Sequence, residues 1–412
     1  MDLIVKNAML RENKELVDIA VKEGVIQEIG HSLDLKGRTE IDAGGSLVTP
    51  TFIDPHIHLD KILISEVVRD NISGTLMEAI EIIWEKKKNY ELEDIISRSN
   101  RVIEWAVKNG TTKLRTHVDV DTIGKLVPLE ALLRVKEMNR DLIDLQIVAF
   151  PQEGIIQDPG TKELMEEAMK MGADVVGGMP YNEMEYDDSK AHIDFCFELA
   201  KKYDADIDMH VDETDDETAR TLQYYAAKTI KEGWEGRVTA GHTCALAAYN
   251  PSYAAKVIAL VKKARMNMIT NPATNLMLQG RFDKQPIRRG ITRVKELVEA
   301  GVNVAYGQDC IKDTFYPTFG QADLLEVGQL VAHAAQFSMP HEVEKVYDMP
   351  TFNSAKIMRW EDYGVEKGKS ADFNIIDAPT IQEALRTRAD RLYVVRKGNV
   401  IARTKTHSEL FR

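Results

Sequence analysis

From about residue 50 to about residue 360 the chain repeats one pattern, a short apolar strand-like run followed by a longer amphipathic helix-like one. The first strand-like run lies within 49–61 and ends in His56 and His58. The others are 113–117, 146–150, 174–178, 206–210, 237–242, 267–270 and 303–307. Helical stretches separate most of them. One opens on a capping box, Thr75 with Glu78, ahead of Ile80, Ile82, Ile83 and Trp84. Others cover 162–171 and 292–300, the last stopped by Gly301. Eight strand candidates alternating with helices predict an α/β chain closed as a (β/α)8 barrel of the TIM type, rather than an open doubly wound sheet. No glycine-rich phosphate loop follows any of these strands, which weakens a nucleotide-binding fold further.

The two ends of the chain read differently. Short β-rich runs at 3–5, 18–21 and 25–29 are punctuated by Gly24, Gly30 and Gly44-Gly45. At the other end 371–376, 392–395 and 400–402 read as strands, the last two joined by the turn Lys397-Gly398-Asn399. Residues 1–48 and 361–412 are expected to join as a small β-sandwich domain, leaving 49–360 as the barrel. The net charge of −13 is spread along the chain, which argues against nucleic acid or a membrane as partner and leaves small neutral or cationic molecules. Cys196, Cys244 and Cys310 are too scattered for a disulfide framework, and the N-terminus shows no signal-peptide pattern. A reducing cytoplasm is the expected setting. A homo-oligomer is compatible with all of this but not specified by it.

In a TIM-type barrel the reactive groups stand at the C-terminal ends of the strands. Reading only those ends gives His56 and His58, then His117, Gln152, His210 with Glu213, His242, and Asp309. All but Gln152 are residue types that ligate metals or move protons. His56 and His58 are two apart on a strand, so both rings point to one side, as a metal requires. No lysine ends the fourth strand, where the run is Val175-Val-Gly-Gly-Met-Pro180, so a carbamylated lysine bridging two metals is not expected. His117, between Thr116 and Val118, reads as a core histidine bonded to a carbonyl. Cys196 and the run around Met165 and Met169 read as core packing, and Cys244 as inert.

Several motifs resemble the amidohydrolase superfamily and, within it, the bacterial cytosine deaminases. They are Pro55-His-Ile-His-Leu-Asp60, Arg115-Thr-His-Val-Asp-Val120, Val148-Ala-Phe-Pro-Gln-Glu-Gly154 and His210-Val-Asp-Glu213. Gly280-Arg-Phe-Asp283 and Arg288-Arg-Gly-Ile-Thr-Arg293 complete the set, and the resemblance spans essentially the whole chain. It implies a metal on His56, His58, His210 and Asp309, an acid/base residue at Glu213, and a second proton-handling residue at His242. It further implies a substrate amide at Gln152 and a backbone carbonyl at Leu76 that positions the ring. Three imidazoles and a carboxylate suit one divalent transition ion, zinc or ferrous iron. Asp309 would then also take the proton of the attacking water.

The loop after the eighth strand departs from the family pattern. Where that pattern has His-Asp-Asp and then Trp-Tyr-Pro, this chain reads Gln308-Asp309-Cys310 and Phe315-Tyr316-Pro317. The metal aspartate is kept and its neighbour is a thiol, which bears on Cys310 and Phe315 as ring contacts. The expected reaction is hydrolytic loss of the exocyclic amine from a small aminopyrimidine, cytosine or 5-methylcytosine, with release of ammonia. Creatinine, isoguanine and amino-triazines are the alternatives, followed by ring-amide hydrolysis and a non-catalytic barrel.

Overall fold

The computed structural model describes residues 1–13 and 15–411. Eight parallel strands form one sheet: β1 (Phe52–Ile57), β2 (Thr111–Asp119), β3 (Asp144–Phe150), β4 (Val175–Gly178), β5 (Asp206–Val211), β6 (Val238–His242), β7 (Asn267–Thr270) and β8 (Asn303–Tyr306). Each pairs with the next in chain order. β1, β2, β4, β6 and β7 are buried at every residue, as expected of parallel strands covered by helices. The ring nearly closes into a TIM-type barrel. Its seam is an isolated parallel bridge between Ile57 and Asp309. There the Asp309 N–H donates to the His56 carbonyl at 2.8 Å, and the His58 N–H to the Asp309 carbonyl at 3.1 Å. Gly307 makes this approach possible, because a Cβ on it would lie 2.5 Å from the His56 carbonyl oxygen.

The helix α1 (Leu76–Lys87) starts at Thr75, whose hydroxyl accepts from the Glu78 N–H at 3.3 Å. The Glu78 carboxylate reaches back past the cap to the Ser73 N–H, at 2.6 Å. α2 (Leu92–Lys108) follows, and its strongly one-sided apolar face lies in the main core through Ile95, Val102 and Ile103. Several expected boundaries shift. The helix expected over 292–300 is Val294–Glu299, because the buried Thr292 hydroxyl is held by Thr243 at 2.9 Å. β2 runs two residues past His117, so that ring sits within the strand rather than at its end.

The terminal segments build two four-stranded sheets. One holds Leu3–Ala8, Val17–Lys22, Val25–Gly30 and Thr39–Asp42; the other holds Leu47–Pro50, Phe373–Ile376, Arg391–Arg396 and Asn399–Arg403. Leu3, Val5, Ile19, Val48, Phe373 and Val395 share one core between them. Thr39–Asp42 has no signal in the sequence, since only Ile41 of its four residues is buried. Among the described residues no helix is long and apolar enough to cross a membrane.

Candidate active site

The main chain of the segment leaving β1 is fixed by side chains of its neighbours. The Leu59 N–H donates to Thr116 Oγ1 at 3.0 Å, and Ser99 of α2 donates to the Leu59 carbonyl at 2.9 Å. Arg98 of α2 donates to the carbonyls of Asp60 and Ile62, at 3.1 and 2.6 Å. With the backbone so held, the period-2 geometry of the strand sends His56 and His58 towards β5 and β8. Ligand-type atoms of His56, His58, His210 and Asp309 lie within 4.8 Å of one another, and all four residues are buried. His58 Nε2 is 3.0 Å from His210 Nε2, and both His56 Nε2 and His58 Nε2 are 3.5 Å from Asp309 Oδ1.

These residues fit a metal ion by their unmet valence. Both nitrogens of His56, Nδ1 of His58 and of His210, and Oδ2 of Asp309 are buried with no protein partner. Buried polar atoms in that state cost about 1–3 kcal/mol each unless something fills them. Burial first, then the neighbouring rings, drives the His56 pKa down to about 4 and that of His210 well below the ordinary value; burial, then the Lys61 ammonium and the neighbouring rings, does the same to His58. The imidazoles are therefore neutral at pH 7, the state that binds metal. Burial opposes ionisation of Asp309, but the His56 and His242 rings outweigh it and hold its pKa at about 2.

Glu213, in the loop after β5, meets His242 at the end of β6. Its Oε1 lies 3.0 Å from His242 Nδ1 and accepts from Asn275 Nδ2 at 2.9 Å. Asn271 Nδ2 lies 3.1 Å from His242 Nε2, and Asn275 Nδ2 lies 3.1 Å from His242 Nδ1. Burial works against charge on His242, yet the Glu213 and Asp309 carboxylates lift its pKa to about 9. His242 and Asp309 both have positive φ, 63° and 65°, uncommon for such residues and tolerated where the surroundings over-determine them.

His58, His210, Glu213, His242 and Asp309 open onto one small cavity of about 290 Å³, walled also by Leu76, Gln152, Cys310 and Phe315. His56 sits behind them. The residues expected at the site thus converge. Leu76, Met179 and Glu213 also line a wider vestibule that runs out to Arg281 and the exposed Phe282. His117 differs from expectation: neither ring nitrogen finds a carbonyl, and Nε2 instead lies 3.5 Å from Asp208, which is itself held by Arg115 at 2.8 Å.

Sequence reading missed three groups. Asn271 and Asn275, which orient His242 and Glu213, carry no motif. Lys61 also lines the cavity, directly after the histidine pair. Glu183 is buried and accepts from the backbone N–H groups of Ile155, Ile156 and Gln157, at 2.6, 3.1 and 2.9 Å, and from His192 at 2.7 Å. It thereby pins the loop that carries Gln152. Glu183→Ala orphans three N–H groups, so at ~1 kcal/mol or more for each we expect a loss of at least ~3 kcal/mol in urea denaturation. Burial raises the Glu183 pKa, but the His192 ring and the N–H donors bring it below 4.5. Its contribution is therefore present above pH 4.5 and is lost as the pH falls below that value. A wild type and Glu183→Ala equally stable at pH 7 would contradict this role.

The chain matches the model of the amidohydrolase family over residues 39–402. It is 39% identical to the crystallised 5-methylcytosine deaminase of Klebsiella pneumoniae liganded with 5-fluorocytosine, with a TM-score of 0.95 over 99% of both chains. It is 33% identical to the N-isopropylammelide isopropyl amidohydrolase of Pseudomonas sp. (strain ADP), covering 98% of this chain and 97% of that one. It is also 33% identical to the pterin deaminase of Rhizobium rhizogenes, over 94% of this chain and 88% of that protein.

Proposed function

Because the chain belongs to the amidohydrolase family and is a hydrolase of C–N bonds, we propose that it removes the exocyclic amine of cytosine or 5-methylcytosine. Water enters at the ring carbon, ammonia leaves, and the oxo compound is released. The observation that carries the reading is the content of the one cavity. An amide with both a donor and an acceptor, Gln152, lines the same cavity as a proton-transfer pair, Glu213 and His242. The likeness to a 5-methylcytosine deaminase supports the same choice.

His56, His58, His210 and Asp309 would hold one zinc or ferrous ion, and no lysine on β4 offers a bridge to a second. Such an ion, when bound, supplies Lewis acidity that makes water a nucleophile near neutral pH. The Gln152 amide holds the ring by its carbonyl and N–H edge. The Glu213 carboxyl gives a proton to the ring nitrogen beside the reacting carbon, which makes that carbon electrophilic, then takes the proton of the added hydroxyl and delivers it to the departing amine. His242 steers the water by its hydrogen bonds, and the Asp309 carboxylate takes the water's other proton and returns it to Glu213 when ammonia has left. Phe315 closes the cavity over the ring.

Cys310 sets the preference between the two pyrimidines in this reading. It is buried in the cavity wall, within an apolar cluster that includes Ile80, Phe150, Met179 and Phe315. Burial, with the carboxylates of Asp309 and Asp313, pushes its thiol pKa well up, so it stays neutral and presents an apolar surface to a ring methyl. One packed methyl is worth about 1 kcal/mol or somewhat more, or on the order of tenfold in kcat/KM. We expect 5-methylcytosine to be used at least as well as cytosine, and Cys310→Asp to reverse that order. The experiment is ammonia release by the metal-loaded enzyme from both pyrimidines in both proteins. An unmoved ratio rules Cys310 out as the determinant. The likeness to an isopropylammelide hydrolase gives amino-triazines the second place, and activity on them alone would replace the pyrimidine assignment.

A further inference from the structure

Beside the cavity two lysines and three carboxylates are buried together. Lys87 Nζ lies 2.7 Å from Asp119 Oδ2, 2.7 Å from Asp121 and 2.5 Å from Glu153, and Lys61 Nζ is 2.6 Å from Asp119 Oδ1. Buried ions persist only when paired in this way. Within the cluster Lys61 alone both lines the cavity and touches a residue placed at the ring: its ammonium donates to Gln152 Oε1 at 2.5 Å. On the other side of the amide, Gln152 Nε2 donates to Glu153 Oε1 at 3.2 Å.

These two contacts leave the amide one orientation. Turned over, its N–H groups would meet an ammonium and its oxygen a carboxylate, a mismatch at both ends and out of reach of water. With one Oε1 lone pair taken by Lys61 and one Nε2 proton given to Glu153, what is left for the ring is the second Nε2 proton and the other Oε1 lone pair. The proton is a donor at a fixed place, and it asks for an oxygen.

We propose that Lys61 is a positioning residue that fixes the face Gln152 shows to the substrate, committing the pocket to heterocycles with a carbonyl oxygen, rather than an amine, at the position Gln152 reads. This rests on the aminopyrimidine reading above. Lys61 acts through Gln152, and Lys87 stays with Asp119 when Lys61 is replaced, so Lys61→Met does not strand that carboxylate.

The test compares cytosine with the diaminopyrimidine in which its carbonyl oxygen is replaced by an amine, following ammonia release. The wild type should favour cytosine by about 100-fold or more in kcat/KM, as sites built around a buried hydrogen bond do. In Lys61→Met that ratio should collapse to about threefold, mainly through KM for cytosine, while Lys61→Arg keeps most of it. Added to Gln152→Ala, Lys61→Met should change neither substrate further, since the two residues work as one unit. Parallel loss on both substrates in Lys61→Met, or a double variant worse than Gln152→Ala, overturns the proposal while the deaminase reading stands. If Lys61→Met does not fold, the wild-type ratio still decides: equal use of the two pyrimidines overturns the proposal. A wild type inactive on both overturns the underlying reading and takes this one with it.

Discussion

Glu213→Gln is expected to lower kcat by at least about 100-fold with its metal content unchanged, the usual loss when a general acid/base is removed. The substitution keeps size and hydrogen-bonding shape, so Asn275 and His242 retain a partner at Oε1, 3 Å or less away. What disappears is the transferable proton. Glu213 is not among the four residues whose ligand atoms cluster, so the ion should stay. Elemental analysis beside steady-state kinetics separates the two effects. A variant that turns over at the wild-type rate, or one that has lost its metal, assigns Glu213 a different role.

The other large effect is expected from His58→Ala. Partners lying outside a metal's ligands are already worth about 10–100-fold in affinity, so removing a ligand should weaken binding by on the order of 100-fold or more. Activity should fall with it. An ion present at 100 times its Kd stabilises the folded chain by roughly 2.7 kcal/mol, so the melting temperature of the variant should drop and cease to respond to added metal. Wild type prepared without chelator should carry close to one equivalent. Two equivalents would contradict the mononuclear arrangement, and full metal content in His58→Ala would remove His58 from the ligand set.

What could be read from the sequence depended on how far apart the cooperating residues lie. The spacing of His56 and His58 announces itself because a strand repeats every two residues. Glu213 is legible for a similar reason, three positions after a strand-end histidine. Lys61 and Lys87 are not, because their burial follows from pairing between elements distant in sequence, 58 positions for Lys61 with Asp119 and 34 for Lys87 with Asp121, and nothing local marks them. His117 shows the limit of reading strand ends: β2 simply continues for two residues more, and the ring becomes a neighbour of His56 inside the barrel. The fold itself was accessible because its alternation is regular. The short strand Thr39–Asp42 was not, because only one of its residues contributes to a core.

The seam of the barrel has a consequence for the order in which this molecule can be made. The Gln308 N–H donates to Asp54 across 254 positions of sequence, and the backbones of His56, His58 and Asp309 are themselves the stitches between first and last strands. A nascent chain that has emerged only as far as β7 holds three imidazoles but neither the carboxylate nor the closing bonds. Contacts this distant carry the largest loop-closure penalty and form late. The clasp that completes the ring and the cradle for the ion are thus one event, and an ion bound there favours the closed ring over the open one. Heat or denaturant should work at this joint early, so that metal release and loss of barrel closure coincide, ahead of the unravelling of the paired strands between.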